Sequence, residues 1–224
     1  MTGRFITLEG GEGAGKSTQA KLLAEALTDR GLPVLRTREP GGAPGAEVLR
    51  GVLLSGRVDW SAPAETLLHF AARAEHVERT IRPALDAGLW VVCDRFYDST
   101  MAYQGYGLGA SRDMIATLTR LVGIHPDVTI VLDVSEAVAV ERQLKRGMDA
   151  DRYERLDAFF HARVREGYRE IARAAAGRCV VVNADETVVA VQAAVMQSVS
   201  RILAVPNEVA GDAAPSPPPA QSGD

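Results

Sequence analysis

The sequence predicts an α/β fold in which a five-stranded parallel sheet is flanked by helices in three layers. Short apolar stretches alternate with longer segments of helical periodicity along most of the chain. The apolar stretches are uninterrupted instead of alternating with polar residues, which is typical of parallel strands buried on both faces. The length of 224 residues and the hydrophobic content of 46% suit one globular domain.

The predicted elements follow one another in strand–helix order. The predicted strands cover residues 5–8, 33–37, 89–93, 128–132 and 179–182. The predicted helices cover about 16–31, then 46–54, 63–86, 111–122, 135–146, 152–176 and 188–202. Beyond residue 205 the chain is rich in Pro, Ala and Ser, so we expect one folded domain at 1–205 and a disordered tail at 206–224.

The segment after the first strand has the spacing of a phosphate-binding loop, with four residues between Gly10 and Gly15 and then Lys16-Ser17. The glycines let backbone N–H groups converge on an anion, and the following helix adds its positive end. A glycine-rich turn without a ligand is the alternative, which the strand before and the helix after disfavour. The fold is therefore predicted to be of the P-loop NTPase type. The candidate ATP-binding residues here are Gly10, Gly11, Glu12, Gly13, Ala14, Gly15, Lys16, Ser17 and Thr18.

Ligands of such folds bind at the carboxyl ends of the strands. This rule gathers residues 10–17, 38–42 and 94–95 with Asp133 and Asn183 along one edge of the sheet. Asp94 ends a buried strand, where P-loop enzymes hold an acidic partner for Mg²⁺, and the Ser17 hydroxyl can ligate the same ion. A helix cap is the alternative role for Asp94.

Arginines suggest that the chemistry is transfer to a second phosphate, because guanidinium groups bind phosphate through paired hydrogen bonds. Those near the sheet edge are Arg38, Arg50, Arg73 and Arg95. Four others surround Gly147, namely Arg142, Arg146, Arg152 and Arg155, and predict a mobile lid at about 142–155. A solvated helix face is the alternative, and the residues alone do not choose among the four.

Phe70 and Arg73 are three residues apart on one predicted helix and so share a face. An aromatic ring and a guanidinium group suit a nucleobase, one by stacking and the other by reaching a carbonyl. A core phenylalanine beside a surface arginine is the alternative interpretation.

The composition excludes several classes of partner and location. A net charge of −4 gives no overall basic field for nucleic acid. Cys93 and Cys179 lack metal-like spacing and are expected to be buried, reduced thiols of a cytoplasmic protein. No charged-then-apolar leader and no apolar stretch of membrane-spanning length is present, so we expect no membrane partner.

Four segments together resemble the thymidylate kinases, which phosphorylate dTMP to dTDP with ATP and Mg²⁺ in the synthesis of DNA precursors. They are residues 8–19, 38–42, 67–73 and 94–105, and the resemblance extends to about residue 203. The segment 94–105 is the most specific, because many families share the phosphate loop. Members of this family are typically homodimers.

The resemblance implies a role for each matching residue on the acceptor side. Glu12 approaches the 3′-hydroxyl of dTMP, and Arg95 lies near the transferred group. Phe70 stacks on thymine, Arg73 binds its O4, and Tyr103 crowds the 2′ position of the sugar. The full implied dTMP site is Glu12, Arg38, Pro40, Arg50, Phe70, Arg73, Arg95, Ser99, Thr100, Tyr103 and Gln104.

On the donor side, the phosphate loop contains no arginine, which resembles the bacterial subtype whose lid supplies the catalytic arginine. Arg152 matches the lid best and Arg146 is second, although Met148-Asp149-Ala150 departs from the usual lid sequence. The Asn183-Ala184 turn is implied to contact adenine, with Arg142 stacking on it. The implied catalytic set is Lys16, Arg95, Arg152, Arg146 and Glu12, and the implied metal ligands are Ser17 and Asp94.

Three other functions are alternatives to the phosphorylation of dTMP. A GTPase would need Asn-Lys-x-Asp, but neither Asn183 nor Asn207 precedes a lysine. A kinase of another nucleotide or nucleoside differs only in its acceptor. A nucleotide-binding module without catalysis is disfavoured by the intact Lys16, Ser17 and Asp94.

Overall fold

The computed structural model describes residues 2–146, 152–153 and 155–205. The side chain of Arg146, most of the centre of the predicted lid and the predicted disordered tail at 206–224 lie outside the described residues.

A five-stranded parallel sheet forms the centre of the molecule, as predicted. Its strands are β1 Arg4–Gly10, β2 Val34–Arg38, β3 Trp90–Asp94, β4 Val128–Asp133 and β5 Cys179–Asn183. The strand order is β2-β3-β1-β4-β5, and every neighbouring pair is parallel. The connection that leaves β1 runs toward the β2 edge of the sheet, whereas the connection that leaves β3 runs past β1 toward the β5 edge. The loop after β1 therefore opens at the switch point where α/β folds bind ligands.

Helices cover both faces of this sheet. They are α1 Lys16–Thr28, α2 Pro44–Leu54, α3 Ala62–His76, α4 Arg82–Asp86, α5 Tyr97–Thr100, α6 Arg112–Val122, α7 Glu136–Arg146, α8 Ala158–Ala174 and α9 Val188–Leu203. Side chains of α1 and α9 share an apolar cluster with β1 and β4 on one face. Those of α3, α6 and α8 pack in two clusters on the other face.

Two helical predictions needed correction. The predicted helix at 152–176 begins only at Ala158, because the Asp157 carboxylate caps it by accepting a 2.7 Å hydrogen bond from the Phe160 N–H. Residues 152 and 153 instead form a turn. The segment after β3 was not predicted to be helical, yet α5 continues into a π-helical segment, Met101–Gly107. Its many buried polar and aromatic side chains conceal the usual apolar periodicity.

The described helices include none with both the length and the apolar character needed to cross a membrane.

Candidate active site

A cavity of about 530 Å³ opens at the carboxyl end of the sheet. Most of the residues singled out in the sequence line it, although they are spread over the chain. They are Glu12, Gly13, Gly15, Lys16, Ser17, Thr18, Arg38, Pro40, Arg50, Arg73, Asp94, Arg95, Ser99, Thr100, Tyr103, Gln104 and Arg142. The sequence analysis missed His69, Gln143, Tyr153, Leu54 and Phe96, which also line the cavity.

The loop between β1 and α1 has a backbone that only glycine permits at two positions. Gly10 has φ 138° and Gly13 has φ 72°. A Cβ atom would lie 2.4 Å from the Leu132 carbonyl oxygen at Gly10 and 2.7 Å from the Ala139 carbonyl oxygen at Gly13. No side chain of the described residues caps the N-terminus of α1. Its first N–H groups are therefore available to an anion, as in phosphate-binding loops.

Lys16 lies over this loop, with its ammonium group donating a 2.7 Å hydrogen bond to the Gly11 carbonyl. Burial and the nearby Arg95 cation lower the pKa of Lys16 to about 8, although the carboxylates of Glu12 and Asp94 oppose the shift. A polyphosphate would restore the charge balance, because it brings negative charge to a buried cation.

Ser17 and Asp94 supply a pair of hard oxygen ligands, with the Ser17 hydroxyl donating to Asp94 Oδ2 at 2.5 Å. Mg²⁺ prefers such oxygens and keeps most of its shell for water and phosphate. Among the described residues no group of three or more His, Cys, Asp or Glu side chains could hold a metal by itself. The residues present thus fit an ion that arrives with a nucleotide.

Arg95 has the backbone conformation least expected of a non-glycine residue, with φ 71° directly after β3. Such a conformation costs on the order of 1 kcal/mol and persists only where the surroundings enforce it. It turns the guanidinium group over the phosphate loop, where Nη1 donates to the Gly10 carbonyl at 3.1 Å and Nη2 donates to Glu12 Oε1 at 2.6 Å.

Glu12 remains ionised against this cation. Burial would raise the pKa of Glu12, but Arg95, Lys16 and the Tyr103 hydroxyl outweigh that cost and lower it to about 2. The Tyr103 hydroxyl donates to Glu12 Oε1 at 2.8 Å and accepts from Arg95 Nη2 at 3.1 Å. The three side chains form one rigid group between the phosphate loop and the far end of the cavity.

Arg38 and Arg50 line the cavity from β2 and α2. Arg38 Nη2 lies 3.1 Å from both carboxylate oxygens of Glu47. Arg50 Nη1 donates to the Pro40 carbonyl at 2.7 Å. Together with Arg95 they give the cavity lining three guanidinium groups.

Arg73 lies at the far end, where two of its three nitrogens are occupied. Nε donates to Glu39 Oε2 at 2.8 Å, and Nη2 donates to Thr100 Oγ1 at 3.1 Å. Nη1 is buried and has no hydrogen-bond partner among the described residues. A buried donor without an acceptor is costly, so this nitrogen is suited to a carbonyl oxygen of a ligand.

Phe70 is not part of the cavity wall. Its ring is buried in the cluster shared with Phe96 and lies under the Arg73 guanidinium, 4.7 Å from the ring centroid. The stacking role that the resemblance implies for Phe70 stays a prediction. The ring on the wall is that of His69, one residue earlier. Burial and nearby arginines lower the pKa of His69 to about 3, so it is neutral near pH 7.

Comparisons with known proteins identify the family of the chain. The thymidylate kinase family model matches residues 8–195. The chain belongs to the thymidylate kinase family. A thymidylate kinase of Gluconobacter oxydans is 52% identical over 207 residues, covering 91% of this chain and 97% of that protein. One of Rhizorhabdus wittichii is 51% identical, covering 91% and 100%. A crystal structure of thymidylate kinase from Ehrlichia chaffeensis has a TM-score of 0.72 and 34% identity, covering 89% of this chain and 99% of that one.

In this member of the thymidylate kinase family, the residues expected at adenine are only partly at the cavity. Arg142 lines it and lies 3.4 Å from the Gly13 carbonyl and 3.2 Å from the Glu186 carbonyl. Asn183 is exposed at the end of β5, with its side chain accepting from the Asp185 N–H at 3.1 Å. The Ala184 side chain is buried in the core. Asp133, also expected at this edge, is paired with arginines of α8 instead.

Arg152, the best-matching lid arginine, does not line the cavity. Its guanidinium group pairs with the buried Glu65 carboxylate and lies 3.4 Å from an Asp59 oxygen. The neighbouring Tyr153 does line the cavity. Its location was hidden from the sequence, since it depends on a turn that packs against α3.

Proposed function

We propose that the chain transfers the terminal phosphate of ATP to dTMP, with Mg²⁺ as the metal ion. Membership in the thymidylate kinase family makes dTMP the expected acceptor. The observation that carries the proposal is that one cavity is lined both by a phosphate loop and by Arg73, whose Nη1 has no hydrogen-bond partner among the described residues.

The donor nucleotide would lie along the phosphate loop. The N-terminus of α1 and Lys16 would bind its phosphates, and Ser17 and Asp94 would hold Mg²⁺, which neutralises phosphate charge when bound. Arg142, which bonds to the Gly13 carbonyl, would lie beside the base. Asn183 and Ala184, in the turn after β5, would also contact the adenine base.

The acceptor would occupy the other half of the cavity. Arg38, Arg50 and Arg95 would surround its phosphate, because guanidinium groups bind phosphate oxygens in pairs. Tyr103 and Glu12 would lie against the sugar. The base would face His69 with its ring and would face Arg73, Thr100 and Gln104 with its polar edge, since all four residues line the cavity.

Transfer between the two phosphates needs close approach and compensation of negative charge. Arg95 is suited to this task, because it is held rigidly between the phosphate loop and Glu12. Lys16 would stay bound to the transferred phosphate from the donor side during the reaction. Arg152, with Arg146 as second choice, is proposed to add a cation when the lid segment reaches the nucleotide.

The remaining expectations of the family are proposals as well. The kinase domain would span 1–205, with the lid at about 142–155. The location would be cytoplasmic, in accord with two buried cysteines that form no disulfide.

We propose a homodimer formed through α3 and α6. Apolar side chains of these helices line one surface groove, among them Leu67, Leu118, Leu121 and Val122. Leu121 is 77% exposed and Leu67 is 49% exposed. Such large exposed apolar side chains mark interaction surfaces when they are contiguous. A second copy placed there would support the face of α3 opposite the cavity.

Leu121→Glu tests the dimer, with Val189→Glu as the matched control because Val189 is 79% exposed on α9. Light scattering should give a dimer for the wild type and the control and a monomer for Leu121→Glu. A monomeric wild type at micromolar concentration contradicts the dimer.

The first test of the activity is ATP consumption with Mg²⁺ and dTMP, dUMP, UMP, dCMP, AMP or thymidine as the acceptor. A strong preference for dTMP is expected. Turnover with another acceptor would keep the phosphate loop but reject the proposed base site, and no turnover with any acceptor would favour a nucleotide-binding module.

A further inference from the structure

A buried carboxylate contacts two residues of the cavity wall, Gln104 and Tyr153, and has no role in the proposal above. Glu65 of α3 has no exposed surface. Its Oε1 accepts from Gln104 Nε2 at 2.8 Å and from the Tyr153 hydroxyl at 2.7 Å. Its Oε2 is paired with Arg152. Such a carboxylate is buried at a cost that only several donors can offset, and here three are present.

Gln104 is held in one orientation by this carboxylate. An ionised carboxylate only accepts hydrogen bonds, so the Gln104 amide must turn its NH₂ group toward Glu65. The same nitrogen lies 3.1 Å from the Tyr153 hydroxyl, which accounts for its second hydrogen. Reversing the amide would set its oxygen against the carboxylate and leave both unpaired.

The amide oxygen is consequently the atom of Gln104 that is left for a ligand. Gln104 is 1% exposed and lines the cavity, and its Oε1 accepts no hydrogen bond within the described part of the chain. Arg73 lines the same cavity, and its Nη1, which has no partner among the described residues, is a donor. The base end thus offers one acceptor and one donor.

The same hydrogen-bond network also fixes which nitrogen of His69 carries the hydrogen. The Tyr153 hydroxyl gives its hydrogen to Glu65, so its oxygen acts as the acceptor for His69 Nε2 at 2.9 Å. The neutral His69 ring is then protonated at Nε2, an assignment that follows from the hydrogen-bond network. One carboxylate sets the polarity of three neighbouring side chains.

We propose that Glu65 is a specificity-determining positioning residue that fixes the Gln104 oxygen toward the acceptor base and so selects bases with a ring N–H. The inference rests on the proposed function. Thymine and uracil present an N–H between two carbonyl oxygens, which matches an acceptor beside a donor. Cytosine presents a ring nitrogen that accepts and an amino group that donates, which is the opposite pattern.

The experiment compares kcat/KM for dTMP, dUMP and dCMP in the full-length wild type and in Glu65→Gln. A glutamine at position 65 can donate as well as accept, so Gln104 becomes free to reverse. We expect the dTMP-to-dCMP ratio of kcat/KM to fall at least tenfold. The dTMP-to-dUMP ratio should stay within about twofold, since both bases carry the same edge, and KM for ATP should not change. The remaining discrimination against dCMP would come from Arg73.

Glu75→Gln is the matched control, because Glu75 lies on the same helix and is partly exposed beside Arg79. It should leave every ratio unchanged. Tyr153→Phe separates the two partners of Gln104: with Glu65 intact, the dTMP-to-dCMP ratio should hold. An equal collapse of that ratio in Tyr153→Phe would overturn the assignment to Glu65.

Gln104→Ala keeps the proposal testable if Glu65→Gln fails to fold. It should lower the dTMP-to-dCMP ratio as much as Glu65→Gln does, and the double variant should show no further fall, because both changes remove one interaction. An unchanged ratio in Gln104→Ala, or additive falls in the double variant, would refute the inference. A wild type that does not phosphorylate dTMP would instead refute the proposed function.

Discussion

The two ends of the cavity are built in different ways. The phosphate end is made by one contiguous loop, whose backbone N–H groups and Lys16 need only local geometry. The base end is assembled from α3, the π-helical segment after β3 and the turn at residue 153, and its polarity depends on the buried Glu65. The comparison teaches that the phosphate loop is encoded locally, whereas the proposed base site depends on contacts between residues up to 88 positions apart.

Loss of the cation at the phosphate end should have the largest effect. We expect Lys16→Ala to lower kcat/KM at least 10³-fold, because no other described lysine lies at the loop and removal of one such charge-stabilising group typically costs 10²–10³-fold or more. Steady-state kinetics with dTMP and ATP measure the loss. Lys21→Ala, which removes an exposed lysine of α1 paired with Glu25, is the control and should be near wild type.

Arg73→Lys should break the base end while sparing the phosphate end. Lysine keeps a positive charge beside Glu39 but lacks the fork that donates to Glu39 and Thr100 and presents a third nitrogen. We expect KM for dTMP to rise about 10–100-fold, in line with the loss of one or two charge-assisted hydrogen bonds, and KM for ATP to change little. Arg79→Lys, on the exposed side of the same helical stretch, is the control. Equal weakening of both substrates would show that Arg73 does not bind the base.

The pH dependence of ATP binding should report the phosphate end alone. Folding lowers the pKa of Lys16 from 10.5 to about 8, so the free folded protein loses this proton first. Folding stability therefore gains from Lys16 as pH rises from about 8 to 10.5, because the unfolded chain holds the proton there. ATP needs the charged form, so its affinity should fall about tenfold per pH unit above 8.

Calorimetric titration with ATP at pH 7.5, 8.5 and 9.5 measures this dependence. Lys16→Arg, which keeps its charge throughout this range, should show a flat profile whatever its absolute affinity. A flat profile in the wild type would mean that Lys16 titrates outside this range.

The smallest effects should separate the neighbours His69 and Phe70. His69→Phe keeps a neutral ring on the cavity wall and should change kcat/KM for dTMP about threefold, the worth of one modest hydrogen bond. Phe70→Leu should leave KM for dTMP unchanged and lower the free energy of unfolding by about 1 kcal/mol, because it changes the shape of a buried side chain. Kinetics and urea unfolding of both variants measure these effects, and a raised KM for dTMP in Phe70→Leu alone would support stacking by Phe70.

Much of the fold and of the phosphate end could be predicted from the sequence. The five strands and the strand–loop–helix setting of Lys16 follow from local apolar patterning and glycine spacing. The helical identity of the segment 97–107 could not, because its inward side chains are polar and aromatic. The start of α8 was placed too early because Asp157, which caps it, lies between two stretches that both suit a helix.

The proposed base site shows most clearly what could not be predicted from the sequence. Spacing placed Phe70 and Arg73 on one helix face, but His69 is also four residues from Arg73, and only the packing of α3 decides which ring meets the cavity. By itself, the sequence determined the parallel sheet, the phosphate loop and the set of arginines around it, because each depends on residues close together in the chain. Only the tertiary structure decided how His69, Glu65 and Tyr153 are hydrogen-bonded, because these buried contacts join segments that are distant in the chain.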